Sequence, residues 1–144
     1  MTASFSNHSH NNLDLNLYTC GREACMGKHS YGPAIRSGYM IHYILKGRGI
    51  FKVHDKIYHL EQQEAFLIEP NVLIYYEADA NDPWEYIWIG FNGIKAKEYL
   101  LRTSLSMDNP IFSFGQTHKL IDCMNGIVSM TAMTLNKDLI LTAK

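Results

Sequence analysis

An excess of charge of one sign is missing from this chain: 13 Lys+Arg stand against 14 Asp+Glu, a formal net charge of −1. A stand-alone nucleic-acid binder needs a basic face to hold phosphates, so DNA contact by these 144 residues on their own is not expected. No run of 18 apolar residues exists, which excludes a membrane-spanning helix. The first residues, MTASFSNHSHNN, have neither the basic flank nor the apolar stretch of a secretory signal. Cysteine is sparse and odd in number (Cys20, Cys25, Cys123), which with no signal reads as reduced thiols in a cytoplasm. Three such scattered thiols are too thin a ligand set for structural zinc. No G-x-S-x-G elbow occurs, and neither Cys20 nor Cys25 has an identifiable base partner, so nucleophilic catalysis is not expected.

What is present is ordinary for one globular domain, with 47% hydrophobic and 19% charged residues. Residues 1–12 are Ser, Asn and His with one Phe and read as a mobile arm. From 13 onward Leu13, Leu15 and Leu17 alternate with Asp14 and Asn16, the two-residue period of a half-buried strand. The stretch 27–38 (GKHSYGPAIRSG), punctuated by glycine and proline, reads largely as loop. Short apolar strands follow: 39–45, closed by Gly47-Arg48-Gly49, then 50–53 and 56–60 on either side of a His54-Asp55 turn. Residues 65–68 end at Pro70-Asn71, 72–76 follow, and an acidic loop 77–83 leads to a last strand, 84–91. Many short strands at close spacing predict a sandwich or barrel rather than βαβ units.

After Gly93 the period changes. Asn92 is placed to cap a helix reaching Ser104, with Ile94, Leu100, Leu101 and Leu105 as its apolar positions. Thr117 is placed to cap a second, in which Leu120, Ile121, Met124, Ile127 and Val128 recur at three- and four-residue steps. Residues 137–144 begin a third apolar segment that stops without a capping glycine, as in a chain that continues. This apolar stripe, with Leu135 and 139–141 beyond it, either pairs with a second copy or simply caps one end of the barrel.

The motifs HSYGPAIR, YILKGRG with the hairpin behind it, FLIEPN and DPWEYIWIGF resemble the N-terminal cupin-type domain of AraC/XylS-family transcription regulators. The similarity is greatest to the group that controls α-galactoside and related sugar operons in Gram-positive bacteria. It covers 20–93 strongly and the following helices more loosely. The resemblance implies a mainly β fold, a cupin-like double-stranded β-helix (jelly-roll) barrel followed by two to three α-helices. It implies a flexible arm at 1–12 that can fold over a ligand, a ligand-binding barrel at 13–93 and a helical dimerisation segment at 94–144. It further implies a small-molecule effector, commonly a mono- or oligosaccharide, a homodimer, and DNA bound only through a C-terminal helix-turn-helix domain. No recognition helix or basic stripe occurs in these residues, so operator binding is not expected of this chain itself. The expected role is effector sensing for a cytoplasmic activator of carbohydrate utilisation.

Cupin barrels are often metal enzymes, so the ligand pattern matters. The enzymatic pattern needs two close His and a Glu before the first hairpin glycines and another His after the second turn. Here Met40 sits near the Glu position, Ile74 takes the second-turn His position, and His42 is alone on its strand. His8 and His10 fall in the arm, and His54 and His59 on a hairpin. A sugar site has a different signature, because C–H faces stack on aromatic rings and hydroxyls need a few polar partners. Trp84, Tyr86 and Trp88 alternate and so share one face; beside Tyr76 they form either a stacking platform or a wall of the core. The resemblance puts Tyr76, Tyr86 and Trp88 on pocket-lining positions and Trp88 on the stacking tryptophan. Arg36 can fork two ring hydroxyls or a carboxylate, or lie on the surface; Glu69 can accept two hydroxyls at the barrel mouth or cap a turn; His29 is equally open. The expected ligand-binding set is therefore Trp88, Tyr86, Tyr76, Arg36, Glu69, His29 and Trp84, with no catalytic residue, no cofactor and no metal. A metal-dependent cupin enzyme acting on a sugar is the alternative, and a constitutive dimerisation module with a self-filled pocket is a third.

Overall fold

The computed structural model describes residues 2–6, 14–113, 119 and 121–130. In chain order its elements are β1 (Thr2–Ser6), β2 (Asn16–Ala24), β3 (Ser30–Ile35), β4 (Tyr39–Lys46), β5 (Arg48–Val53), β6 (Lys56–Glu61), β7 (Glu64–Ile68), β8 (Leu73–Ala78), β9 (Glu85–Asn92), α1 (Ala96–Leu101) and β10 (Ile111–Ser113). Residues 121–130 are helical as well. No helix among the described residues is long and apolar enough to cross a membrane.

Turn residues set the frame. His54 and Asp55 both take positive φ (50° and 63°), the conformation a two-residue type I′ hairpin requires, and they fold β6 back on β5. Gln63 and Asn71 also take positive φ at the next two reversals. The strands form two antiparallel sheets, ordered β1-β2-β9-β4-β7-β10 and β3-β8-β5-β6. With β1 and β10 set aside as edge additions, the order 2-9-4-7 opposite 3-8-5-6 is that of a jelly roll, the cupin-like double-stranded β-helix.

The main core lies between the sheets, where Met40, Ile44, Phe66 and Ile68 of one meet Phe51, Val53, Leu60, Ile74 and Tyr76 of the other. Trp84 is 1% exposed at its centre, stacked on Phe66 at 5.8 Å. A Cβ on Gly49 would lie 2.5 Å from the Trp84 ring, so glycine there lets the indole sit against the β5 backbone. A second, smaller core covers the opposite face of the six-stranded sheet. Tyr43, Ala65 and Ile87 pack there against Met124 of the helical segment 121–130, with Ile121 and Val128 beside it. Strands β4 and β9 are thus buried on both faces, which is why they read as near-continuous apolar runs.

The structure departs from the sequence expectation at several points. Thr2–Ser6, read as part of a mobile arm, pairs along β2 as β1. The stretch read as loop contains β3: Tyr31 and Ala34 pair with Tyr76 and Ile74, and a register shift between them absorbs Gly32-Pro33. Pairing to β8 overrides the local breakers there. The strand expected from 13 begins at Asn16 and runs on to Ala24. The helix expected from Asn92 to Ser104 is only Ala96–Leu101, with Lys95 at its N-cap and no side-chain cap. Asn92 stays paired with Asn16 at the end of β9, and Gly93 follows at φ 125°, so helical backbone cannot begin at Asn92. β10, paired to β7, had no counterpart in the sequence reading. Thr117, Leu120, Leu135 and residues 137–144 lie outside the described residues.

Candidate functional site

Strand alternation builds the site. On β9 the two-residue period sends Tyr86 and Trp88 into the barrel while Ile87 and Ile89 face the helical segment. On β4 it sends Met40, His42 and Ile44 inward, and register pairs His42 with Trp88 and Ile44 with Tyr86. Across the barrel β8 contributes Tyr76 and β3 contributes Tyr31, its Cα partner. Thr19 and Glu23 come from β2, and His29 and Arg36 from just outside either end of β3. These groups surround a cavity of about 240 Å³ lined by Thr19, Glu23, His29, Tyr31, Arg36, Met40, His42, Tyr76, Tyr86 and Trp88. Three larger hollows, about 580, 600 and 400 Å³, lie against the β5–β6 hairpin, and none of these inward-facing aromatics lines any of them.

Aromatic rings dominate the walls. Tyr86 and Trp88 meet edge to face at 5.7 Å, and Tyr31 stacks on Tyr76 at 5.4 Å. The Arg36 guanidinium lies 3.9 Å over the Tyr31 ring and its Nη2 donates to the Tyr76 hydroxyl at 3.4 Å. Trp88 Nε1 donates to Thr19 Oγ1 at 3.4 Å. At the mouth, His29 Nε2 stands 3.8 Å from a Glu23 carboxylate oxygen. A Cβ on Gly90, the next inward position after Trp88, would lie 2.4 Å from the Thr19 side chain and 2.8 Å from the Tyr18 ring. Glycine at this position leaves room for those two side chains above the tryptophan.

His42 is the innermost polar group. It is 1% exposed and stacks in parallel on Phe66 at 4.8 Å, with Tyr76 and Tyr86 each at 5.0 Å. Its Nδ1 has no hydrogen-bond partner among the described residues, and neither has Arg36 Nε. Burial, with Arg36 adding to it, holds the imidazole well below its ordinary value of 6.5, so it is neutral at physiological pH. Burial likewise raises the Tyr76 and Tyr86 phenols, with Arg36 opposing it at Tyr76, and pushes Tyr18 up to about 12. Apart from Arg36, Glu23 and His29, the lining consists of aromatic, hydroxyl and thioether side chains and the neutral His42. Such a lining suits binding of a polyhydroxylated ring: apolar planes for C–H faces and neutral donors and acceptors for hydroxyls.

Among the described residues Glu23, Cys25 and His29 form a group whose potential ligand atoms lie within 4.8 Å of one another. Burial pushes the Cys25 thiol up to about 11, so metal loading would have to strip a proton from a neutral thiol. Of the positions that carry ligands in enzymatic cupins, Met40 lines the cavity with a thioether and Ile74 is core.

Of the residues selected from sequence, Trp88, Tyr86, Tyr76, Arg36 and His29 line one cavity. Trp84 lies one ring deeper, 5.9 Å from Tyr86, and belongs to the core rather than the lining. Glu69 is outside the lining, where its charge acts on Tyr39. Thr19, Glu23, Tyr31, Met40 and His42 join the lining without having been selected. For His42 a signal existed: it is the one polar residue on the inward register of β4, between Met40 and Ile44. Tyr31 was hidden inside the segment read as loop.

Comparison with known proteins agrees with this architecture. A family model described as "AraC-like ligand binding domain" matches residues 16–131. The Msm operon regulatory protein of Streptococcus mutans is 35% identical over 136 residues, 93% of this chain and 49% of that protein. The raffinose operon transcriptional regulatory protein of Pediococcus pentosaceus is 31% identical over 107 residues, 73% of this chain and 39% of its own length. The chain thus spans half or less of these curated relatives. Among solved structures, YhaK from Escherichia coli superposes with a TM-score of 0.60 over 80% of this chain and 52% of its own, at 11% identity, a likeness of fold alone.

Proposed function

The chain belongs to the AraC-like ligand binding domain family, and from that premise we propose that its inner cavity holds a saccharide effector for a transcription regulator of carbohydrate use. The observation that carries this reading is the cavity itself, with Trp88, Tyr86, Tyr76 and Tyr31 around neutral polar groups. The names of the relatives, regulators of the Msm and raffinose operons, support the same class and no enzyme. His42 has aromatic rings around it and, among the described residues, no partner on Nδ1 to orient it as a base, so the arrangement favours binding over turnover. Sensing requires that the sugar bind one conformation better than another, since equal affinity shifts nothing. In this proposal the altered population is read out by a DNA-binding region outside these residues, in a cytoplasmic homodimer. The helical segment 121–130 supports the dimer, because Met124 is seated on the sheet while Met130 is 69% exposed.

Thermal melts and calorimetry with galactose, glucose, melibiose, lactose and raffinose test the reading. At least one sugar is expected to raise the melting temperature, with about 2.7 kcal/mol of added stability at a hundredfold excess over Kd. A chain that melts at the same temperature with every sugar, and gives no heat of binding, overturns it.

A further inference from the structure

We infer that the cavity takes one uncharged sugar ring, free or as the end of a longer saccharide, and that His42 determines this by reading a ligand hydroxyl with its imidazole. This rests on the saccharide reading of the same site and goes beyond it to ligand size, charge and the deciding residue.

Size argues for one ring. About 240 Å³ is below the roughly 300–1,000 Å³ of sites that enclose drug-sized ligands. It amounts to about eight waters at roughly 30 Å³ each, which a single pyranose with its hydroxyls fills and two rings exceed. Further rings of an oligosaccharide would project past Glu23 and His29 at the mouth.

Charge argues for a neutral ligand. The lining carries one guanidinium, Arg36, and one carboxylate, Glu23, so the two formal charges cancel and an anion drawn to Arg36 also meets Glu23. Arg36 is already held over Tyr31 and bonded to the Tyr76 hydroxyl.

His42 supplies the reading group. Its buried Nδ1 has no partner among the described residues, an arrangement that is costly unless a bound molecule completes it. The groups facing it are Phe66 from β7, Tyr76 from β8, Tyr86 and Trp88 from β9, and Arg36, with Glu23 and His29 across the cavity. Burial outweighs what Glu23 and the rings offer an imidazolium, and Arg36 opposes it, so the ring is neutral. A neutral imidazole offers one donor and one acceptor; a hydroxyl can meet either, whereas a carboxylate or phosphate oxygen without a proton can meet only the donor.

The test is calorimetry on this chain with the same five sugars together with galacturonate and galactose 6-phosphate. An uncharged sugar should bind one to one at pH 7, with a heat independent of the buffer's ionisation enthalpy. The two charged sugars should bind at least about tenfold more weakly than galactose, the scale of one mismatched hydrogen bond. His42→Phe should cost at least about tenfold in affinity, and His42→Gln, which keeps a donor and an acceptor, should recover part of it. Melting curves report whether each variant is folded. Equal affinity for the charged sugars, proton uptake on binding, or unchanged affinity in a folded His42→Phe overturns the inference. A disaccharide that binds more than about tenfold tighter than both its component monosaccharides overturns the one-ring limit. Where no sugar binds the unaltered chain, the saccharide reading itself fails and the inference with it; a bound sugar indifferent to His42 sinks the inference alone.

Discussion

The two faces of strands β4 and β9 are built from the same backbone and do opposite work. Outward, Tyr43 and Ile87 pack with Met124 into a small apolar core with exposures of 1% or less. Inward, His42, Tyr86 and Trp88 border a cavity and leave Nδ1 of His42 without a partner among the described residues. One face gains stability by complete packing. The other gives some of it up, because a binding site needs empty volume and polar groups ready for a ligand. Substitutions on the two faces should therefore separate stability from binding.

The largest separation is expected at Ile87, which is fully buried on the outer side. Ile87→Ala should cost about 2–5 kcal/mol of folding stability through lost burial and the cavity left behind. Urea titration gives that number, and calorimetry should find sugar affinity unchanged in the protein that remains folded. A large loss of affinity would mean that the two faces are coupled. Next is Trp88 on the inner side, which is only half-buried. Trp88→Ala should weaken sugar binding by about 1–3 kcal/mol, with a modest loss of stability. Unchanged affinity by calorimetry in the folded variant would remove Trp88 from the site.

The smallest effect sharpens the contrast through pH. His42 is held below its unfolded value, so the unfolded chain binds the extra proton and stability falls as pH drops through about 6.5. Between pH 7.5 and 5.5 His42 should account for a loss of roughly 1 kcal/mol that His42→Phe does not show. The ligand-free variant should also be as stable as the unaltered chain or more so, because a buried polar atom is removed. Parallel pH profiles of the two proteins would show that His42 is not the titrating group.

Reading the site from sequence worked where side-chain period and turn chemistry are local. The Trp84, Tyr86, Trp88 alternation put three aromatics on one face, and the His54-Asp55 pair marked a hairpin that forms. It did not extend to depth along the barrel, where Trp84 is core and Trp88 is wall, four residues apart on the same face. Glu69 and His29 were equal candidates in sequence; only the fold puts His29 at the cavity and Glu69 away from it.

The sequence by itself determined the class of the fold, because short apolar strands between turn residues leave a sandwich or a barrel as ways to bury them. The tertiary structure alone decided which residues meet. Tyr31 enters the site because β3 pairs with β8 across a Gly32-Pro33 break that no local rule would call strand. Asn92 gives up its helix because the end of β9 is held by β2. His42, one polar residue among apolar neighbours, becomes the innermost polar group of the cavity because register sets it opposite Trp88. Each of these outcomes depends on pairings between residues about 40 or more positions apart, and local propensity carries no information about such pairings.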